Sequence, residues 1–401
     1  GRGTIFRITD GKTSCISMEK PQNRKAPRIF WLNNQVAIPP SERVKESYAL
    51  HSDIFSLPPG SALKLAEKTE ESIRQLVGLK DSHIFRFVPH FPHVVHIVLA
   101  ALVENLSMFQ GRNHIILPAH DQQLLINSLC RHQGLGTTYD WVTVNHEGRI
   151  VEEQLIETLS PRSLLFSLSA AHGLTGVIQP LDPLLSLCKD RRILLHLDIS
   201  DILGRAPLTP EILNADIITF SSAALGGMGS IGGIFIRKSL ERVFSSWFPP
   251  HTSASLCFSA VAAMQTACEE RISALPLFTF HTSNLCKKLI QELQSVLPSI
   301  QLAFSEVQNR LPNIVVAAIP DIPAESLAFH LHQQGIYPSL GYERFQPLAQ
   351  VLQNCGISPF LCHSALHFSL TERSKDLEFS KLARAMHDAI KHLTPLLGSS
   401  S

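Results

Sequence analysis

Short apolar runs alternate with segments of helical periodicity along most of the chain. Five of these runs have the length and composition of buried strands: NHIILPA, SLLFSLSA, RILLHLDIS, ADIITFSS and IGGIFIRK. The clearest helical pattern precedes them in GSALKLAEKTEESIRQLVGLK, where apolar residues recur at helical spacing among charged ones. Near-continuous apolar strands that alternate with helices favour a mostly parallel sheet covered on both faces. We therefore predict an α/β fold with a large domain over residues 28–275.

The carboxy-terminal part of the chain repeats this alternation on a smaller scale. A long helix is predicted in HTSASLCFSAVAAMQTACEERISAL, and a strand-helix-strand-helix series follows it. We predict that residues 276–395 form a smaller α/β domain and that 396–401 form a tail. Residues 1–27 are polar and weakly patterned, which predicts a loosely ordered arm.

Composition and charge exclude several classes of function. The 401 residues include 35 Lys and Arg against 34 Asp and Glu, which predicts no basic surface for nucleic acid or an acidic membrane. The longest apolar stretch, VVHIVLAALV, is too short to span a bilayer and is interrupted by His96. The eight cysteines contain no C-x-x-C pair and do not predict a disulfide framework. We expect a cytoplasmic protein without nucleic-acid or membrane partners.

Three motifs invite functional interpretation but support it weakly. His90, His93 and His96 lie in HFPHVVH, yet no carboxylate or cysteine accompanies them closely in sequence, so ordinary histidines are favoured over metal ligands. The glycine-rich run GGMGSIGG lacks both the lysine of a P-loop and the G-x-G-x-x-G order. A hydrolase is not supported, because no Gly-x-Ser-x-Gly elbow accompanies a plausible order of Asp and His. We predict no metal site.

Five segments carry a family resemblance through their order and spacing. They are IFWLNNQVAIPP, LHSDIFSLPPGSALKLAEKTEESIRQLVGL, HGLTGVIQPLDPLLSLCKDRRILLHLD, GRAPLTPEILNADIITFSSAALGGMGSIGGIFIRK and ALHFSLTE. Together they span roughly residues 28–390 and resemble the cysteine desulfurase (NifS-like) group of class V aminotransferases, within the fold-type-I PLP-dependent transferases. The resemblance implies a PLP-transferase fold with a seven-stranded, mostly parallel sheet and a small carboxy-terminal domain. It also implies PLP as cofactor and a homodimer.

Three positions keep residues that this family uses around its cofactor. The resemblance places Asp198 where an aspartate pairs with the PLP pyridine nitrogen. It places His120 where a histidine stacks on the cofactor ring, and Ser221 where a serine contacts the phosphate. A loop-capping aspartate, an ordinary loop histidine and a strand-end serine stay open as alternatives. We interpret the three as a vestigial cofactor site.

The lysine that holds PLP as a Schiff base in this family is missing. Counted without gaps from Asp198, its position falls on Ala224 in FSSAALGG, and no lysine occurs between Lys189 and Lys238. Because an alanine cannot form an imine, covalent PLP is not expected.

Other chemical positions of the family have changed as well. The phosphate-binding turn corresponds to Val88-Pro89-His90, where proline removes an N–H donor. The glutamine that faces the cofactor's phenolate oxygen corresponds to Asp201, and the first asparagine of an N-N pair corresponds to His172. The arginine that binds the substrate carboxylate corresponds to His367. We predict His90, His172 and Asp201 as possible pocket residues and no catalytic residue.

The loop that carries the catalytic cysteine in this family is replaced by the shorter segment GIYPSLGYERFQP. No cysteine lies between Cys286 and Cys355, so no shift of the alignment restores the nucleophile. A desulfurase needs that cysteine in order to take sulfur from its substrate.

Three functions stay open. The first is a binding or regulatory paralogue without PLP catalysis, whose partner by family analogy is an iron–sulfur assembly factor or an active paralogue. The second is an enzyme that uses PLP or its amine form non-covalently, anchored by Asp198 and His120. The third is another small-molecule enzyme with His120, His172 and His367 as acid–base groups. The joint loss of lysine, cysteine and arginine favours the first.

Overall fold

A computed structural model describes most of the chain. The described residues are 5–9, 12–16, 29–35, 37–52, 60–107, 110–133, 136–248 and 257–397. Strands β1 (Ile5–Thr9) and β2 (Lys12–Ile16) form an antiparallel hairpin within the predicted arm. The rest of that arm and residues 398–401 of the predicted tail lie outside the described residues.

A seven-stranded sheet forms the centre of the fold. Its strands are β4 (His83–Val88), β5 (His114–Pro118), β6 (Thr138–Val142), β7 (Ser163–Ser169), β8 (Leu194–Asp198), β9 (Ile217–Ser221) and β10 (Gly232–Arg237). Their order is β4-β10-β9-β8-β7-β5-β6, and β10 is antiparallel to both neighbours while the other pairs are parallel. The five apolar runs form β5, β7, β8, β9 and β10. The predicted α/β fold with a mostly parallel sheet is confirmed.

Helices accompany the strands in alternation. They are α1 (Glu42–Leu50), α2 (Ser61–Val77), α3 (Val94–Leu102), α4 (Gln123–His132), α5 (Glu152–Thr158) and α6 (Leu181–Asp190). The helical pattern recognised in the sequence is α2, which buries Ile73, Leu76 and Val77. It ends at Gly78, whose φ of 84° is a left-handed conformation that glycine adopts at low cost.

A second, smaller layer follows in sequence. Strands β11 (Gln301–Ala303), β12 (Ile314–Ala318) and β14 (Ala365–Ser369) form an antiparallel sheet, and β13 (Ile336–Tyr337) pairs in parallel with β3 (Phe30–Trp31). The accompanying helices are α8 (Ala324–Gln333), α9 (Leu348–Asn354) and α10 (Phe379–Leu397).

One 39-residue helix, α7 (Phe258–Val296), joins the two layers. Val261 and Met264 near its start belong to the core beside the large sheet, while Leu289 and Leu293 near its end belong to the core of the small sheet. The helix continues through residue 276, so the two predicted domains share a continuous element, and their bounds stay predictions. In the described part of the chain, no helix has both the length and the apolar character needed to cross a membrane.

The parallel strands of the large sheet place candidate side chains at one edge. In open α/β sheets, ligands bind beyond the carboxyl ends of the strands. His120 follows β5, His172 follows β7, Asp201 follows β8 and Ala224 follows β9. These four positions and their surroundings form the candidate site.

Candidate functional site

Asp198 ends β8 and is buried, and the chain itself supplies donors to its carboxylate. Oδ1 accepts from the backbone N–H of Ser200 at 3.0 Å and from Nε2 of Gln122 at 3.4 Å. Oδ2 accepts from Oγ1 of Thr219 at 2.9 Å. Because both oxygens are engaged, Asp198 already has the hydrogen bonds that a buried carboxylate needs.

A buried polar chain fixes this arrangement across three neighbouring strands. Since the hydroxyl of Thr219 donates to Asp198, it accepts from Nε2 of His196, 2.9 Å away. Nδ1 of His196 then accepts from Oγ of Ser167 at 2.7 Å. Burial lowers the pKa of His196 to about 4, although the Asp198 carboxylate opposes the shift, and a neutral ring fits these contacts. The polar chain therefore orients Asp198 by internal structure.

His120 and His172 form a buried, stacked pair. Their ring centroids lie 4.6 Å apart and their planes are inclined by 14°. Nε2 of His172 lies 2.8 Å from the carbonyl oxygen of His120, while Nδ1 accepts from the N–H groups of Leu174 and Thr175 at 3.2 and 3.3 Å. These contacts place the proton on Nε2. Burial lowers the pKa of both histidines, and each ring is neutral near pH 7.

His367 lies in the middle of β14 and is fully buried. Burial lowers its pKa to about 3, while the backbone of Gly173 raises it in part and His172 lowers it further. The backbone of Gly148 acts on the pKa of His120 in the same way, which leaves at least one ring nitrogen each of His120 and His367 without a hydrogen-bond partner among the described residues. The structure thus brings His120 and His172 into contact and places His367 near them, on the side of Gly173.

Asp201 is buried in the turn after β8 and pairs with an arginine from a distant segment. Its Oδ1 accepts from Nε2 of Gln35 at 3.0 Å and from Nη2 of Arg344. Burial raises the pKa of Asp201, while the charges of Arg344 and Arg205 lower it in part. The exposed fractions of the Asp201 and Arg344 side chains are 1% and 10%, so this ion pair is shielded from water. Within the described residues, Oδ2 of Asp201 has no partner.

The residues that sequence reasoning missed come from the segment that replaces the family's cysteine loop. Arg344 also donates to the backbone oxygen of Gln35 at 2.8 Å, and its guanidinium lies 4.2 Å from the ring centroid of Phe345. Nε2 of Gln346 donates to the backbone oxygens of Ala119 and Asp121 at 2.9 and 2.8 Å. One signal in the sequence could have indicated a cation such as Arg344. This chain has Asp201 where the family has a glutamine, and a buried carboxylate requires a cation nearby.

Ala224 lies in the 3₁₀ turn Ser222–Leu225, directly after Ser221 at the end of β9. Its side chain is 1% exposed, while Ser221 is half-buried and its N–H donates to Oγ of Ser200 at 3.0 Å. Gly227 follows this turn at a position where only glycine fits, because a Cβ there would lie 1.9 Å from Oγ of Ser222. The predicted lysine position is therefore a packed turn that carries a methyl group.

His90 differs from the other candidate histidines because it is exposed. It follows β4, and its ring lies 4.5 Å from that of His93. His96 instead contacts His132, with 3.1 Å between Nδ1 and Nε2. Across the described ranges, no three or more His, Cys, Asp and Glu side chains are grouped so that they could hold a metal ion.

A cleft of about 860 Å³ lies elsewhere, along α2 and β4. Residues that line it include Arg74, Lys80, Arg86 and Lys238, together with Glu70 and Asp81. The mixture of charges does not select a ligand of one sign. None of the candidate site residues lines this cleft.

Comparison with known protein families gives one extended match. The family model described as aminotransferase class-V matches residues 44–254, which is more than half of the chain. The matched residues include β4 to β10 and therefore the whole large sheet.

Known proteins similar to this chain share a consistent description. The cysteine desulfurase IscS of Rickettsia prowazekii (strain Madrid E) is 22% identical over 311 residues, which cover 74% of this chain and 75% of the relative. The mitochondrial cysteine desulfurase of Candida albicans (strain SC5314 / ATCC MYA-2876) is 23% identical over 98% of this chain and 86% of its own length.

Solved structures show the same fold. A NifS-like protein superimposes with a TM-score of 0.79 at 19% identity, and the match covers 91% of this chain and 100% of that structure. The apo structure of a cysteine desulfurase from Thermococcus onnurineus NA1 gives a TM-score of 0.76 at 14% identity, over 91% of this chain and 95% of that one.

Proposed function

This chain belongs to the class-V aminotransferase family, and we propose that it is a cysteine desulfurase-like member without Schiff-base catalysis, acting as a binding or regulatory protein. The observation that carries the proposal is Ala224. It stands, buried, in the turn after β9, at the position that the family resemblance assigns to the PLP lysine. A methyl group has no amine with which to form an imine.

The residues around Ala224 do not fit a bound PLP ring. In the family, the histidine at the position of His120 stacks on the cofactor ring. Here the ring of His172 stacks on His120, with 4.6 Å between the ring centroids. The carboxylate of Asp198 already accepts hydrogen bonds from Ser200, Gln122 and Thr219, so a pyridine N–H would compete with donors of the chain itself. These contacts also count against non-covalent use of PLP anchored by Asp198 and His120.

The position that binds the substrate carboxylate in the family carries no positive charge here. His367 stands at the position of the family's carboxylate-binding arginine, but burial lowers its pKa to about 3 and leaves it neutral. Arg344 supplies a cation nearby, yet that guanidinium is paired with Asp201. Because Asp201 already holds this guanidinium, Arg344 is less available to an amino-acid carboxylate than the family's arginine.

Acid–base catalysis by the three buried histidines is the weaker alternative. A general acid or base at neutral pH works best when its pKa lies near 7. Burial instead lowers the pKa of His120, His172 and His367, and packing keeps all three from solvent. The low pKa values favour a structural role for these side chains.

Partners follow from the family alone and form part of the proposal. Members of this family are generally dimeric, so we expect a homodimer, which light scattering after size-exclusion chromatography would detect. An iron–sulfur assembly factor or an active paralogue is the expected protein partner. Pull-down with the purified chain against each of these two candidates tests that expectation. A cytoplasmic location stays a prediction.

Titration with PLP tests the proposal directly. Visible absorption of the purified chain should show no saturable imine band, while a catalytically active member of the family, handled identically, should show one. Ala224→Lys is the matched variant. Because Ala224 is packed and the surrounding residues do not fit the cofactor, the added lysine alone should also give no stoichiometric imine. A saturable band in the unmodified chain would overturn the proposal.

A further inference from the structure

The segment from Gly341 to Pro347 forms a narrow-necked loop, which we term the plug. At its neck, the N–H of Leu348 donates to the carbonyl oxygen of Leu340 at 2.7 Å, and Gly341 bridges to Pro347. The neck is tight, because a Cβ on Gly341 would lie 2.4 Å from the carbonyl oxygen of Gln346. The residues between form a short excursion that leaves the small layer and enters the candidate site.

Hydrogen bonds hold the tip of the plug to the segment after β3 and to the ends of two strands of the large sheet. Arg344 pairs with Asp201 after β8 and with the backbone of Gln35. Gln346 donates to the carbonyl oxygens of Ala119 and Asp121 after β5. The contacts with Asp201, Ala119 and Asp121 join side chains of the plug to the carboxyl edge of the large sheet.

Phe345 fills the space between these anchors. Its side chain is 1% exposed, and its ring centroid lies 6.1 Å from that of His172. Gly173 provides the room: a Cβ at that position would lie 2.5 Å from Cζ of Phe345 and 2.5 Å from Oδ1 of Asp201. The absent side chain of Gly173 is therefore a condition for seating the plug.

Two features of the seated plug destabilise its seated conformation. Gly341, Tyr342 and Glu343 have successive φ values of 82°, 69° and 58°, and the last two are side-chain-bearing residues in a left-handed conformation. In and beneath the plug, several buried polar atoms find no hydrogen-bond partner in the described part of the chain: Nε and Nη1 of Arg344, Oδ2 of Asp201, and at least one ring nitrogen each of His120 and His367. A buried polar atom without a partner is destabilising relative to its hydrated state.

We propose that the plug is a self-occluding element that occupies the site in the resting protein and withdraws by local opening. Withdrawal exposes His120, His172, His367 and Asp201 to water and so relieves the unpaired atoms. The inference rests on the proposed function in one respect: the plug occupies the site in which the family resemblance places cofactor and substrate. It adds that access to the site is controlled by the chain's own loop.

Hydrogen exchange of the unmodified protein tests the opening without any variant. The amides of Tyr342, Phe345 and Leu348 are hydrogen-bonded within the plug and its neck. They should exchange at least about tenfold faster than those of β7, at rates that low urea does not change, which is the mark of local opening. Exchange of plug amides with the same rate and urea dependence as β7 would overturn the proposal.

Chemical modification tests what the opening exposes. Diethyl pyrocarbonate followed by peptide mass mapping measures the reactivity of His120, His172 and His367. Gly173→Ala and Arg344→Met remove the seat and the main anchor, so each should raise that reactivity about tenfold or more. Glu343→Gln changes an exposed neighbour in the same loop and should leave it unchanged. Unchanged reactivity in both test variants, with cooperative melting retained, would contradict the proposal.

The two proposals fail in distinguishable ways. If the variants do not fold, exchange of the unmodified protein still decides whether the plug opens. An imine with PLP would overturn the proposed function, whatever the exchange rates of the plug amides. A plug that opens only on global unfolding, in a protein that binds no PLP, would overturn the plug alone.

Discussion

The buried ion pair between Asp201 and Arg344 allows a prediction with a defined asymmetry. Removal of one partner from a buried pair costs about 3–5 kcal/mol of stability, because the remaining charge is left uncompensated. Arg344→Met leaves Asp201 with the donor of Gln35 and the charge of Arg205 nearby, so the cost should lie near about 3 kcal/mol. Asp201→Asn leaves two guanidinium groups without their carboxylate, so the cost should approach about 5 kcal/mol.

Urea unfolding followed by far-UV circular dichroism measures both costs. The double variant should cost less than the sum of the single ones by about 2 kcal/mol, since the two residues interact directly. Glu343→Gln, an exposed neighbour, should change the free energy of unfolding by less than about 0.5 kcal/mol. Equal costs for the two single variants, or strict additivity in the double one, would refute the reasoning that the pair anchors the plug to the large layer.

Three further predictions concern His367, Asp198 and the free cysteines. The pKa of His367 is about 3 against an ordinary 6.5, so the folded state binds fewer protons than the unfolded state and loses stability as pH falls below 6.5. His367→Leu should therefore reduce the slope of the unfolding free energy against pH by about 1.4 kcal/mol per pH unit between pH 6 and roughly 4, as measured by urea unfolding. Asp198→Asn should lower the unfolding free energy by about 1–3 kcal/mol. Ser200 and Thr219 donate to different oxygens of Asp198, and an amide has only one oxygen with which to accept. Native thiol labelling should modify Cys130 and Cys257 but not the other cysteines whose side chains are described, which are buried.

The sequence was sufficient to predict the large sheet. The strand Ser163–Ser169 is buried at every position and takes its apolar character from residues 164–166 and Leu168, as expected for a strand covered on both faces. Short apolar runs of this kind are visible without any knowledge of contacts. The pairing of Phe30–Trp31 with Ile336–Tyr337 could not be found in this way, because about 300 residues separate the two strands and each strand is only two residues long.

The candidate site was predictable only in part. The family resemblance assigned Asp198 and His120 to a cofactor site and His172 and Asp201 to a possible pocket, and the strand ends bring these residues to one edge of the sheet. The stacking of two histidines depends on distances between loops, which residue spacing does not determine. The position of Arg344 against Asp201 likewise depends on how the small layer meets the large one. Cys286 and the other buried cysteines are core residues, whereas Cys130 is exposed.

The central claim is that this class-V aminotransferase fold carries no Schiff-base lysine. The most direct test is borohydride reduction of the protein after incubation with excess PLP, followed by intact mass and peptide mapping. We expect no stoichiometric adduct, with at most scattered modification of surface lysines. One PLP per chain fixed to a single lysine would contradict it, and would show that the chemistry has moved to another position in the fold.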